Sequence, residues 1–133
     1  DDFEALTQVL FKISKTTAKF ADRLVISSHH LRGMNFTAHG VLLNRASGIV
    51  VAMVRELRRL RDLPALRQTN EQLQAAAHEE DALMKQSLGT ILGGAEPPLR
   101  TLAILDLHAL AEKGMDRCMD AGDLVIQIAL KHA

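Results

Sequence analysis

The last third of the chain carries four carboxylates, Glu112, Asp116, Asp120 and Asp123. On a helix turning about 100° per residue, with Glu112 at zero, the other three fall at about 40°, 80° and 20°. Acids three and four residues apart on one helix side are the spacing by which bundle cores hold hard cations or iron. The same wheel brings Leu102, Leu105, Ala109 and Leu130 to that side, so the spacing predicts acids on the apolar face. Carboxylates about 6 Å apart repel by about 3 kcal/mol per pair at an effective dielectric near 20, and by less than about 1 kcal/mol in water. A buried stripe therefore needs metal ions, protonation or ion pairs, with Arg45 as a counter-charge at the core edge. A stripe overhanging the bundle needs only water. Glu80 falls on the Leu73–Met84 face of the preceding helix and Asp81 at its edge, where both could oppose the stripe. As a metal centre, the set is Asp116, Asp120, Asp123 and Glu80, with Asp81 and Glu112 beside them, for Fe, Zn or another divalent cation.

Other residue types offer less. His29-His30-Leu31-Arg32-Gly33 echoes the histidine stretch of phosphotransfer domains, in which an exposed imidazole accepts a phosphoryl group beside a cation. Met34 is bulky where a small residue would clear space, and a surface histidine pair is the plainer reading. His39, His78 and His108 share no ligand spacing. His108 lies one turn before Glu112, as a ligand or as a hydrogen-bonded histidine at the core edge. Cys118 points away from the stripe and has no basic neighbour to activate it. With no Ser/His/Asp set, glycine-rich phosphate cradle or CxxC, an enzymatic reading has no residues to stand on.

These side chains must be positioned by helices, because every periodic segment reads as one. Phe3, Leu6, Leu10, Ile13, Thr17, Phe20 and Leu24 alternate steps of three and four, fading near His29 and stopping at Gly33. Asn35 or Thr37 can cap a second helix with Leu42, Ala46, Ile49, Met53, Leu57 and Leu60 on one side, ending before Pro64. A third carries Leu66, Leu73, Ala77, Met84, Leu88 and Ile91 and closes at Gly93-Gly94. Pro97-Pro98 opens the fourth, which runs nearly to Ala133. The expectation is one all-α domain over 1–133, an antiparallel bundle of four long helices. The chain starts at Asp1 already in helical pattern and without Met, so an N-terminal segment is expected to precede it.

Composition narrows the partners. Lys plus Arg equals Asp plus Glu at 16 each, so no bulk charge draws the chain to nucleic acid or an anionic membrane. Arg55, Arg58, Arg59 and Arg61 cluster, but no Trp or Tyr interleaves them, so a solvated helix face is expected. A single cysteine fits a reducing cytosol. The longest apolar stretch, Gly48 to Val54, is too short to span a bilayer. Val50, Val51 and Val54 make the second helix apolar beyond one seam, which points to a homo-oligomer.

The run Asp116-Arg117-Cys118-Met119-Asp120-Ala121-Gly122-Asp123, followed by Leu124 to Ile128 and Leu130-Lys131-His132-Ala133, resembles the C-terminal signature of the PhoU-like phosphate-transport regulators. Asp2-Phe3-Glu4-Ala5-Leu6 resembles the start of that family's long central helix, and the helix order agrees across the chain. The resemblance implies a PhoU-like bundle with a non-catalytic, cytoplasmic accessory role in inorganic phosphate uptake. Its partner would be a phosphate permease or that permease's regulatory partner. Relatives hold iron or zinc clusters with Glu/Asp-x-x-x-Asp motifs, and the resemblance assigns Asp116, Asp120, Asp123 and Asp81 to that role. Ala77 stands where the third helix's opening Glu would be, Met119 replaces an acid, and Phe11, Lys12 and Lys15 occupy the acidic region of the first helix. The fold is therefore expected to be kept and the metal site to be partial or lost. The alternatives are a carboxylate-based metal-binding bundle or a phosphotransfer domain using His29.

Overall fold

Three of the four helices begin where a side chain accepts from one of their first amides. Asp1 accepts a hydrogen bond from the Glu4 amide at 2.8 Å, and Asp2 and Glu4 place negative charge at the first turn of α1 (Asp2–Ile26). Asn35 accepts from the Ala38 amide at 3.4 Å to start α2 (Phe36–Arg59). Asp62 accepts from the Ala65 amide at 3.2 Å to start α3 (Leu63–Leu92), with Pro64 in its first turn. Proline is tolerated there because the first helical amides have no intrahelical acceptor to lose. Pro98 opens α4 (Pro98–Lys131). This computed structural model describes residues 1–59 and 62–132, the side chain of Arg59 excepted, and over them it is an all-α bundle of four long helices. Leu60, Arg61 and Ala133, named above in the helical pattern, lie outside the described residues; Arg55 and Arg58 are exposed.

Between α1 and α2 the chain makes a 3-10 turn, Ser28–Leu31, and reverses at Gly33, whose φ of 83° is the left-handed region that glycine enters without strain. Arg100 ties this turn to α4 by donating to the His30 carbonyl at 2.7 Å.

The core follows two periodic stripes. Phe36, His39, Leu43, Ala46, Val50, Met53 and Leu57 are buried along α2 in alternating steps of four and three. Along α4, Ile104, His108, Ala111, Met115, Cys118, Gly122, Val125 and Ala129 do the same. Small residues on α4 bring its neighbours close. A Cβ on Gly114 would lie 3.0 Å from Leu43 Cδ2, and one on Gly122 would lie 2.5 Å from Asn70 Oδ1 and 2.7 Å from Leu73 Cδ2.

Directions follow from the contacts. α4 runs antiparallel to α1, joined near its ends by Lys131 to Asp2 at 3.1 Å and Arg23 to Asp106 at 2.7 Å. It runs parallel to α2, where Ser47 lies 3.9 Å from Cys118. In a square up-and-down bundle, α1 would pack on α2 and the diagonal pair α2 and α4 would stay apart. Here α2, α3 and α4 pack on one another, and α1 lies on α4 and the 3-10 turn, leaving its side toward α2 open.

That opening shows in α2. Among the described helices it is long and apolar enough to cross a membrane by length and composition, at mean hydropathy 1.3 over Phe36–Arg58. Only 33% of its most apolar stretch is buried. The uninterrupted run Gly48 to Val54 understated this, because Asn44 and Arg45 break the run without lowering the average enough. Packing of α2 on α3 and α4 is compatible with a soluble protein.

Candidate functional site

The acidic stripe is intact as a line and faces water. Glu112, Asp116, Asp120 and Asp123 are all exposed, together with Leu102 at 63%, Leu130 at 49% and Ala109. The expectation that these acids lie on the buried face is corrected: the shared azimuth is right, but it is the outer side of α4. Most of α4 is apolar, so leucines near its two ends do not identify the core side. The small residues do, because helices approach where Ala111, Gly114, Ala121 and Gly122 allow it.

The proposed partners of the stripe go elsewhere. Asp81 is exposed and pairs with Lys85 at 2.9 Å. Arg45 pairs with Glu79 at 2.9 Å on the surface rather than with the stripe. Arg117 Nη1 reaches Asp120 at 3.8 Å. Among the described residues, no three His, Cys, Asp or Glu side chains come together to hold a metal ion. The PhoU-type cluster set of Asp116, Asp120, Asp123 and Asp81 does not fit a metal centre in this arrangement, nor does Glu80, which points into the bundle.

Glu80 does lie on the Leu73–Met84 face, and its partner there is histidine. It is 1% exposed, and one carboxylate oxygen lies 2.5 Å from Nδ1 of His39, itself 2% exposed. The contact gives each of the two buried groups a hydrogen-bond partner. His108, also 2% exposed, stands with its ring centroid 5.2 Å from that of His39, and Phe36 lies 5.3 Å and 5.4 Å from the two histidines. Both ring nitrogens of His108 and the second oxygen of Glu80 have no hydrogen-bond partner among the described residues. Burial, reinforced by the neighbouring His39, pushes His108 down to about 4, so it is neutral at physiological pH. The group is a buried polar cluster: Glu80 and His39 sharing one hydrogen bond, with the neutral imidazole of His108 beside them.

Sequence reasoning missed this trio by treating the histidines as unrelated. Position on the α2 stripe was the available signal, since His39 continues Phe36, Leu43 and Ala46 in steps of three and four. Nothing in spacing couples residue 39 to residue 108. The remaining candidates are peripheral. His29 is exposed in the 3-10 turn, its ring centroid 3.8 Å from that of His30 with the planes tilted by 41°, and His78 is exposed on α3. Cys118 is buried, and that burial raises its thiol above the ordinary range, with the Ser47 hydroxyl offsetting part of the shift.

A large concave feature among the described residues is the opening between α1 and α2, a groove of about 890 Å³. Leu10, Ile13 and Leu24 line it from α1 and Leu43, Val50 and Val51 from α2, while Ala18, Ala21 and Gly40 keep it shallow-walled. From Leu10 to Leu24 it follows α1 for about 21 Å, or about four helical turns. Of the three valines noted in the sequence, Val50 and Val51 line this groove, and Val51 is exposed. Comparison with family models, with curated proteins and with solved structures finds no match.

Proposed function

We propose that this chain is a non-catalytic, PhoU-like accessory protein of inorganic phosphate transport that works in the cytoplasm by protein–protein contact. The observation that carries the reading is the α1–α2 groove. A helical bundle ordinarily closes its apolar seams, and an apolar groove about four turns long is the shape that accepts one helix in a helix-in-groove complex. We assign that helix to the phosphate permease or to its regulatory partner. The small residues Ala18, Ala21 and Gly40 let a partner backbone approach closely, and the apolar, largely uncovered face of α2 supplies the hydrophobic gain. The C-terminal resemblance names the class of partner; the groove supplies the means of contact.

The test pairs the full chain with the phosphate permease of the same cell, by co-purification and by phosphate uptake. Val51→Asp with Ala21→Asp places two charges in the groove, and both residues are exposed, so the helical content and melting temperature should hold. The expected result is retention of the parent chain by the permease or its regulator, loss of retention for the variant, and altered uptake. Equal retention of both proteins, or uptake indifferent to deletion of the gene, overturns the proposal. A parent that self-associates in light scattering through Val51 and Ala21, with no permease bound, gives the groove to a second copy instead.

A further inference from the structure

A second cleft lies between α1 and α4, and its chemistry is the opposite of the groove's. It has a volume of about 270 Å³ and is lined by Lys12, Lys15, Thr16 and Lys19 from α1 and by Leu110, Lys113 and Arg117 from α4. The spacing explains the convergence: 12, 15, 16 and 19 form one stripe, and 110, 113 and 117 form the facing one. Five cations therefore line one cleft in a chain whose overall charge is zero. No acid lines it. α1 carries none between Glu4 and Asp22. On α4 the nearest acids flank the cleft: Asp116 follows Lys113 by three residues, and Asp120 follows Arg117 by three and reaches it at 3.8 Å.

Four of the five cleft cations have no carboxylate partner among the described residues. Lys85 and Lys131 have carboxylate partners, whereas Lys12, Lys15, Lys19 and Lys113 form no ion pair among the described residues. Arg117 touches Asp120 at 3.8 Å through Nη1, but its Nε is buried and has no hydrogen-bond partner among the described residues. A guanidinium N–H withdrawn from water without an acceptor is unfavourable, and so is a convergence of like charges. A multiply charged anion relieves both at once. Arg117 offers the planar fork that matches a phosphoryl group, and the lysines add point charges around it.

We infer that this α1–α4 cleft is a binding site for a small, multiply charged oxyanion of the diphosphate or triphosphate class. No aromatic side chain lines it, so recognition rests on the anion and not on a stacked base. Five positive charges exceed the roughly one to two negative charges of orthophosphate near neutral pH, which favours a linear anion carrying several phosphoryl groups. The inference is independent of the groove and of the permease.

Calorimetric titration tests it, with sodium orthophosphate, pyrophosphate and tripolyphosphate as probes. Tripolyphosphate should bind saturably, more tightly than orthophosphate, with an affinity that falls as salt is added. Lys15→Glu with Lys113→Glu should weaken it by at least about tenfold, and the distant Lys85→Glu by less than about twofold. The double variant should melt no lower than the parent, because reversal removes like-charge repulsion. If it does not fold, Lys12→Gln with Lys19→Gln gives the same reading through neutralisation. The inference is overturned by absence of saturable binding to the parent, or by equal binding to the cleft variants. It is also overturned if phosphatidylglycerol vesicles bind the parent and tripolyphosphate does not displace them, which would make this face a membrane contact.

Discussion

Replacing His108 with leucine should stabilise this protein, and the gain should grow as the pH falls. Both ring nitrogens of His108 are buried without partners among the described residues, and leucine fills a similar volume with no polar atom. A buried polar group left unsatisfied costs about 1–3 kcal/mol. Allowing for imperfect repacking against Phe36 and His39, the net gain at neutral pH is about 1–2 kcal/mol. At about 3–5 °C per kcal/mol for a domain of this size, the melting temperature should rise by about 3–10 °C. The pH dependence has a definite sign. His108 titrates near 4 in the folded protein against 6.5 for the free side chain. Between those values the unfolded chain binds more protons than the folded one, so the parent loses stability as pH falls through 6.5 toward 4, by about 3 kcal/mol in total. The variant lacks that contribution, so the gap between the two should widen across the same window. Thermal unfolding followed by circular dichroism between about pH 7 and about pH 4 measures both effects. A variant less stable than the parent at neutral pH, or two parallel pH curves, would refute the reasoning. His108 would then be held by interactions that reward its ring nitrogens.

Other expectations rest on single contacts. His39→Leu should cost about 3–5 kcal/mol in denaturant unfolding because it strands the buried Glu80 carboxylate, while His39→Leu with Glu80→Met should recover most of the loss. A double variant as unstable as the single one would show that the pair itself, and not the stranded charge, carries the stability. Gly122→Ala should cost about 1–3 kcal/mol, since its Cβ meets Asn70 and Leu73; Gly48→Ala, with open space around it, should gain up to about 1 kcal/mol. Similar melting shifts for the two would contradict the close approach of α3 and α4. The triple change Asp116→Asn, Asp120→Asn, Asp123→Asn should alter stability by less than about 0.5 kcal/mol, and added Zn or Fe should leave its melting and the parent's alike. A metal-dependent rise in the parent, lost in the triple variant, would restore the cation reading of the stripe.

The helices were legible in the sequence because they are written locally. Steps of three and four, Asn35 as a cap, Gly33 at the turn and Pro98 at a first turn all act within a few residues of where they stand. Pro64 carries a local ambiguity, as a proline can end one helix or open the next; here it stands in the first turn of α3. Glu80 was placed on the correct face by the same periodicity. The acidic stripe shows where this reasoning stops. Its azimuth was correct, but a helix that is apolar on most sides does not say which side its neighbours will cover.

The sequence by itself therefore determined four helices, their order and the alignment of Glu112, Asp116, Asp120 and Asp123 along one edge of the last of them. Tertiary packing decided that this edge faces water and that α2 closes on α4 rather than on α1. It also decided that His39, Glu80 and His108 meet in the core, and that lysines of α1 face Lys113 and Arg117. The reason is range. Helix formation and capping are set by interactions over a turn or two, whereas burial, ion pairing and convergence of charge depend on which helices approach. That choice is made by small residues such as Gly114 and Gly122, whose meaning appears only when Leu43, Asn70 and Leu73 are packed against them.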